Sequence, residues 1–299
     1  MSTRILLCTM LVVLTAVLAI ADDTSPQSAG PSTTQPARRS NFGQRLREMR
    51  AKKVDSNVDV SKLKHLTWKV GDDTRAALVY LPPAAAGKRP PVVFAFHGHG
   101  GNMNYSARKF AIHELWPEAI CVYPQGLPTA VPVIDVDGKK NGWQKYVGDQ
   151  NDRDLAFFDA MMKTLKADYQ MDESHVFVMG HSNGGFFSYV LWAARGDEIT
   201  ALAPIAANIN PRDLKLFKPK PVFHIAGEKD PLVKFDLQER TIEQDKKLNG
   251  CDVKGKPIGD LCTEYASKTG TPVVTMIHPG GHEVPDGAMK RIVEFFKRF

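Results

Sequence analysis

His175-Val-Phe-Val-Met179 runs without interruption into Gly180-His-Ser182-Asn-Gly184-Gly185, and a helix-forming stretch, Phe186 to Ala194, follows at once. The first run is apolar and rich in β-branched and aromatic residues, the mark of a buried strand. Between strand and helix stands Gly-x-Ser-x-Gly. A serine held on so sharp a turn needs neighbours without a Cβ two positions either side, because the backbone approaches itself closely there. The stretch therefore predicts a nucleophile, Ser182, raised at the end of a sheet strand.

Outward from this point, short apolar runs alternate with longer amphipathic ones. Upstream lie Pro91 to Phe96, Tyr105 to Leu115, Ala119 to Tyr123 and Asp154 to Tyr169, the last with Leu155, Phe158, Met162, Leu165 and Tyr169 at helical spacing. Downstream come Ile199 to Ala206, Pro221 to Ala226, Phe235 to Leu248, Pro272 to Ile277 and a terminal helix, Ala288 to Phe299. Continuous apolar strands between helices predict an α/β fold with a mostly parallel central sheet covered on both faces. Leu66 to Val70 and Arg75 to Leu81, separated by Gly71 to Thr74, predict an antiparallel hairpin leading into it.

A serine hydroxyl needs a base to take its proton and a carboxylate to hold that base. With the serine on a strand-turn-helix, the partners are expected downstream, acid before histidine, each in a loop after a strand. Asp230 in Gly227-Glu-Lys-Asp230-Pro231 meets the first demand, preferred over Glu228 because the proline fixes the loop. His282 in His278-Pro-Gly-Gly-His282 meets the second, preferred over His278, which lies at the strand end. Backbone N–H groups must receive the negative charge of the tetrahedral intermediate. Asn183, directly after the serine, should give one, and His99 in His97-Gly-His99-Gly-Gly the other, with the His99 side chain facing the cleft and His97 bracing the loop. His65, His113, His175 and His224 lack catalytic spacing and read as packed or solvated.

Several stretches together resemble the secreted α/β-hydrolase esterases that include polyhydroxybutyrate depolymerases and the feruloyl and acetylxylan esterases of carbohydrate esterase family one. They are Phe96-His-Gly-His-Gly-Gly-Asn102, Tyr123-Pro-Gln-Gly126, Asp154-Leu-Ala-Phe157, Gly180-His-Ser-Asn-Gly-Gly185, Gly227-Glu-Lys-Asp230 and Gly280-Gly-His282. The resemblance covers Thr67 to Phe299 and implies the α/β-hydrolase fold, a serine carboxylesterase working without a cofactor, and a triad of Ser182, Asp230 and His282. One position departs: Glu283 follows the histidine where family members often carry an aromatic residue. The long segment Leu127 to Gln150 should overhang the site, with Trp143 as a substrate platform or a loop anchor, and His181 as a second substrate contact. His97-x-His99 and His278-x3-His282 have metal-ligand spacing, but the triad already accounts for these residues, and no metal is expected. Asp149, Asp152 and Asp154 read as helix-start acids, since the glycine and distal glutamate of a calcium loop are missing.

The chain of 299 residues opens with Arg4 followed by an apolar run, Ile5 to Ile20, and small residues at Ala19 and Ala21. This reads as a signal peptide over residues 1–21, sending the protein to the periplasm or outside the cell and leaving no stable membrane insertion. Residues 22–60 read as a disordered linker, polar and low in hydrophobicity, ending in a short basic surface helix over Asn41 to Lys53. The catalytic domain is expected over 61–299. Among the remaining cysteines, Cys121 sits in an apolar strand, so Cys251 and Cys262 are expected to form a disulfide around a Gly/Pro/Lys loop. The net charge of +6 is spread along the chain rather than blocked, which argues against nucleic acid as a partner. An ester, free or polymeric, is the expected substrate. A peptidase or acyltransferase on the same fold, and a non-catalytic surface-binding protein, are the alternatives.

Overall fold

Lys64–Val70 (β1) and Asp73–Tyr80 (β2) pair antiparallel about Gly71, forming the expected hairpin. The computed structural model describes residues 58–83, 89–132, 134–259 and 261–299. The signal peptide, the basic helix and most of the linker read from the sequence lie outside the described residues.

Val92–Phe96 (β3), Ile120–Pro124 (β4), Val176–His181 (β7), Ala201–Ile205 (β8), Val222–Gly227 (β9) and Val273–His278 (β12) pair in parallel. Two short pairs of residues, Leu127–Pro128 (β5) and Asn141–Gly142 (β6), make a separate ribbon. Lys256–Gly259 (β10) and Cys262–Tyr265 (β11) close the far edge, giving one sheet in the order β1-β2-β4-β3-β7-β8-β9-β12-β11-β10. The chain leaves β3 toward β4 and returns to β7 on the other side. A parallel sheet opens a crevice beyond its strand ends at such a reversal, and Ser182 follows β7 at that point.

Both faces of the sheet are apolar, which explains why its strands read as continuous rather than alternating runs. Phe94, Phe96, Val176 and Val178 enter one core with Leu155, Phe158 and Leu165 of Arg153–Tyr169 (α3) and Phe187 and Leu191 of Asn183–Arg195 (α4). Phe235–Leu248 (α5) packs on β9 and β12. Val93, Ala95, Phe177 and Met179 enter the other core with Met103–Phe110 (α1), Ile112–Leu115 (α2) and Ala288–Phe296 (α6). Phe296 of α6 stacks on Phe177 with ring centroids 4.8 Å apart. Each large side chain so buried stabilises the fold by about 1.5–3 kcal/mol. Among the described residues, no helix is long and apolar enough to cross a membrane.

Three expectations change. The helix read over Tyr105 to Leu115 breaks at Ala111, whose φ of 46° ends α1 and starts α2. The domain begins before residue 61: Val58 is buried, its carbonyl accepts from Arg108 Nη1, and His113 Nε2 lies 3.2 Å from the Asp59 carbonyl. Cys251 and Cys262 are not joined to one another. Cys251 packs against the core that holds α4, while Cys262 is buried in the opposite core, so the edge of the sheet lies between them. The stretch between them is itself partly a strand, β10, paired with β11.

Candidate active site

Ser182 sits at φ 56°, ψ −123°, a conformation that a residue with a side chain adopts only under constraint. The constraint is visible on both sides. A Cβ at Gly180 would collide with the Gly184 backbone, and one at Gly184 with the Phe96 carbonyl. The Ser182 N–H is held by the Ile205 carbonyl of β8 at 2.8 Å, and its own carbonyl accepts the first α4 bond from Phe186 N–H. The hydroxyl thus stands half-buried at the mouth of the sheet, beside the N-terminus of α4.

Asp230 lies in the turn after β9 and is buried, whereas Glu228 is exposed. Its Oδ1 accepts from the N–H groups of Leu232 and Val233 at 2.8 and 2.9 Å. Its Oδ2 accepts from Gln238 Nε2 at 3.2 Å and lies 2.8 Å from His282 Nδ1. A carboxylate filled in this way is a fixed acceptor, so it keeps the His282 proton on Nδ1 and leaves Nε2 as the acceptor of the ring. His278 instead accepts from the Gly280 N–H and braces the loop that carries His282, with burial lowering its own pKa. The His282 ring lies 4.8 Å, centroid to centroid, from that of His181, the residue preceding the serine. His181 therefore meets the base ring, where the sequence reading made it a substrate contact. No hydrogen bond joins Ser182 Oγ to His282 among the described residues; such bonds commonly tighten only around substrate.

On the other flank, the loop after β3 passes close to Ser182: the Cβ position of Gly98 lies 3.4 Å from Ser182 Cβ. His97 braces it, its Nε2 accepting from the Gly126 N–H at 3.0 Å. The buried His99 side chain reaches into the long segment, where Nε2 lies 3.1 Å from Asp135 Oδ2. Trp143 is not a substrate platform. It is fully buried, stacked on Phe187 at 5.3 Å, and its indole N–H donates to the His97 carbonyl at 2.8 Å. The Asn183 amide clasps the Trp143 backbone, accepting from its N–H at 2.7 Å and donating to its carbonyl at 3.0 Å. Trp143 therefore ties the loop after β3 to the turn that carries Ser182.

The three aspartates stand at the helix start, as the sequence predicts, Asp149 and Asp152 in a short 3-10 turn and Asp154 in the first turn of α3, and they also tie down the end of segment 127–150. Asp149 accepts from the Lys145 N–H, Asp152 from the Gly148 N–H and from Gln144 Nε2, and Asp154 from the Gln144 N–H. Asp154 also pairs with Arg75 Nη2 at 2.8 Å, both side chains buried. Arg75 was not singled out from the sequence. Its signal was available, because it shares the inward parity of Ala77 and Val79 in β2. Gln238 was also missed: it lies on the buried face of α5 with Ile242 and Asp245, where a polar residue at core spacing needs a partner.

The family model described as "Putative esterase" matches residues 70–231, more than half of the chain. A "probable feruloyl esterase C" of Aspergillus flavus is 28% identical over 207 residues, covering 66% of this chain and 72% of that one. Among solved structures, an acetyl xylan esterase from Aspergillus awamori superposes with a TM-score of 0.56 at 16% identity, over 79% of this chain and 98% of that one. An acylaminoacyl peptidase from Pyrococcus horikoshii gives 0.54 at 16% identity, over 79% of this chain and 41% of that one. At such identities the two structures share the fold alone.

Proposed function

Because the chain belongs to the esterase family, and so is a carboxylic ester hydrolase, we propose that it works through Ser182 as nucleophile, His282 as base and Asp230 as the residue that orients the base. His282 Nε2 takes the Ser182 proton as Oγ attacks the ester carbonyl. The oxyanion rests on the N–H groups of Asn183 and His99. His282 returns the proton to the departing alcohol, then removes one from a water that attacks the acyl-enzyme and releases the acid. One observation carries this reading: the 2.8 Å His282–Asp230 pair stands beside the strained strand-to-helix turn that presents Ser182.

The substrate is proposed to be an acyl ester of the feruloyl or acetyl type on a polysaccharide, or a polyester, met after export through the apolar N-terminal run. The feruloyl arm draws on the similarity to the Aspergillus flavus protein. Ser182→Ala is expected to lower kcat on a p-nitrophenyl ester by about 10⁴- to 10⁶-fold with the fold intact. A fluorophosphonate probe should label the wild type at this residue and spare the variant. Equal turnover by the two proteins refutes the proposal. Hydrolysis of feruloyl, acetyl, aliphatic and polyester substrates side by side, with amide and alcohol-acceptor controls, separates the substrate classes and the peptidase and acyltransferase alternatives.

A further inference from the structure

Behind Asp230 lies a second set of buried polar side chains that the hydrolytic steps do not use. His224 of β9, Tyr189 of α4, and Gln238 and Asp245 of α5 are all within the core. Tyr189 Oη lies 2.8 Å from His224 Nδ1 and 2.9 Å from Asp245 Oδ2. Gln238 Nε2 donates to Asp230 Oδ2 at 3.2 Å and to the Val233 carbonyl at 2.7 Å. A carbonyl only accepts, so this contact fixes which end of the amide is nitrogen. Gln238 Oε1 is left facing the His224 ring, whose Nε2 it meets outside tight hydrogen-bond geometry.

Of the ways to place hydrogens along this line, one gives every facing pair a donor and an acceptor. Gln238 Oε1 can only accept, so His224 Nε2 carries the ring proton. His224 Nδ1 then accepts, and the Tyr189 hydroxyl must donate to it. Tyr189 has no second hydrogen for Asp245, so the hydrogen between those two belongs to the carboxyl group. We propose that Gln238 is a positioning residue for the Asp230 carboxylate, held by a relay through His224 and Tyr189 that ends on a neutral Asp245. The proposal rests on the triad reading for its effect on catalysis; the state of the relay itself does not.

The surroundings agree. Burial raises the Asp245 carboxyl well above the usual carboxylate range and pushes His224 down to about 4, directions that favour the neutral form of each. The other titratable groups near Asp245 are Cys251, which follows α5, and the adjacent Lys246, whose ammonium lies 2.8 Å from Glu243 and over the Tyr265 ring. Asp230 faces His282, with His278 at the end of β12 and the exposed Glu228 nearby. Gln238 donates to the same oxygen that faces His282, and this orients the carboxylate.

Isotope-edited difference infrared spectroscopy of the wild type against Asp245→Asn at neutral pH reads the relay directly. A protonated-carboxyl band present only in the wild type supports it, and carboxylate bands in its place overturn it. On p-nitrophenyl acetate, Gln238→Leu should lower kcat about 10- to 100-fold, the worth of one hydrogen bond to a charged group, with KM within about twofold. The acid limb of its kcat/KM profile should move to higher pH, because an Asp230 relieved of one donor holds the imidazolium more tightly. Asp245→Leu should reproduce part of that loss. Asp245→Asn should restore it, since an amide can donate to Tyr189 as the carboxyl does. Unchanged kcat and limb in Gln238→Leu, or a failure of Asp245→Asn to recover activity, overturns the positioning role. Circular dichroism checks folding; should Gln238→Leu not fold, the Asp245 variants and the infrared band decide. A wild type that turns over no ester sinks the triad reading alone, and the infrared band still judges the relay.

Discussion

Asp154 and Asp245 are both fully buried carboxyl groups, one on each flank of Ser182, and the protein keeps them in opposite ways. Asp154 faces a guanidinium, Arg75, at 2.8 Å and accepts from the Gln144 backbone. Its charge is matched, and it pins the end of segment 127–150, which in turn pins the loop after β3. Asp245 faces a phenol and behind it a neutral imidazole, with burial raising its carboxyl. A buried charge is tolerated when paired and hydrogen-bonded, and otherwise the group neutralises. The flank beside the loop after β3 is thus held by an ion pair and aromatic packing, and the flank beside Asp230 by a line of hydrogen bonds.

The largest effect should come from the end of that line. Asp230→Asn is expected to lower kcat about 10⁴-fold, because an amide in place of the carboxylate favours the wrong His282 tautomer. Steady-state hydrolysis of a p-nitrophenyl ester measures this, and a loss below about tenfold would mean the acid-base flank is only scaffolding. Arg75→Met strands the Asp154 charge on the opposite flank and should destabilise the fold by about 3–5 kcal/mol in urea unfolding. A near-neutral result would show that Asp154, like Asp245, can be held without a cation.

The pH dependence of stability separates the flanks more finely. His224 has a folded pKa of about 4 against an ordinary 6.5. Between those values the unfolded chain takes up a proton that the folded one refuses, so this group removes stability as pH falls through the window. The proton that the proposed relay places on folded Asp245 is released on unfolding above about pH 3.9, so this group adds stability as pH falls across the same window. Asp245→Asn removes the second effect and leaves the first. Its stability should therefore fall on acidification more steeply than that of the wild type, by about 1.4 kcal/mol per pH unit. Parallel unfolding curves at pH 6.5 and 5 would contradict a neutral Asp245. The smallest change is Trp143→Phe, which keeps the stacking on Phe187 and loses the hydrogen bond to the His97 carbonyl. About 1 kcal/mol of stability should be lost, read from the shift in urea midpoint.

Some of this was legible from the chain. Strands β3, β4, β7, β8, β9 and β12 are covered on both faces, so they appear as unbroken apolar runs that no surface helix shares. The glycines around Ser182 are legible for a related reason, since close backbone approach excludes other residues whatever lies further away. The edge hairpin of β10 and β11 was read as a loop, because its exposed strand carries Lys256, Pro257 and Gly259 and little apolar patterning. The disulfide expectation failed for want of one bit of information, the side of the sheet that each cysteine faces. The sequence leaves Trp143 open as platform or anchor because a loop's sequence does not say whether its side chains turn toward the cleft or into the core.

The order of strands and helices, the sharp serine turn and the acid-then-histidine arrangement after β9 and β12 follow from local chemistry: periodicity, missing Cβ atoms and chain order. Which carboxylate meets His282, which indole locks the loop after β3, and which buried carboxyl carries a proton depend on partners far apart in sequence. Arg75 and Asp154, Asn183 and Trp143, and Tyr189 and Asp245 meet only when the sheet closes, because desolvation and hydrogen-bond pairing act on what is near in space.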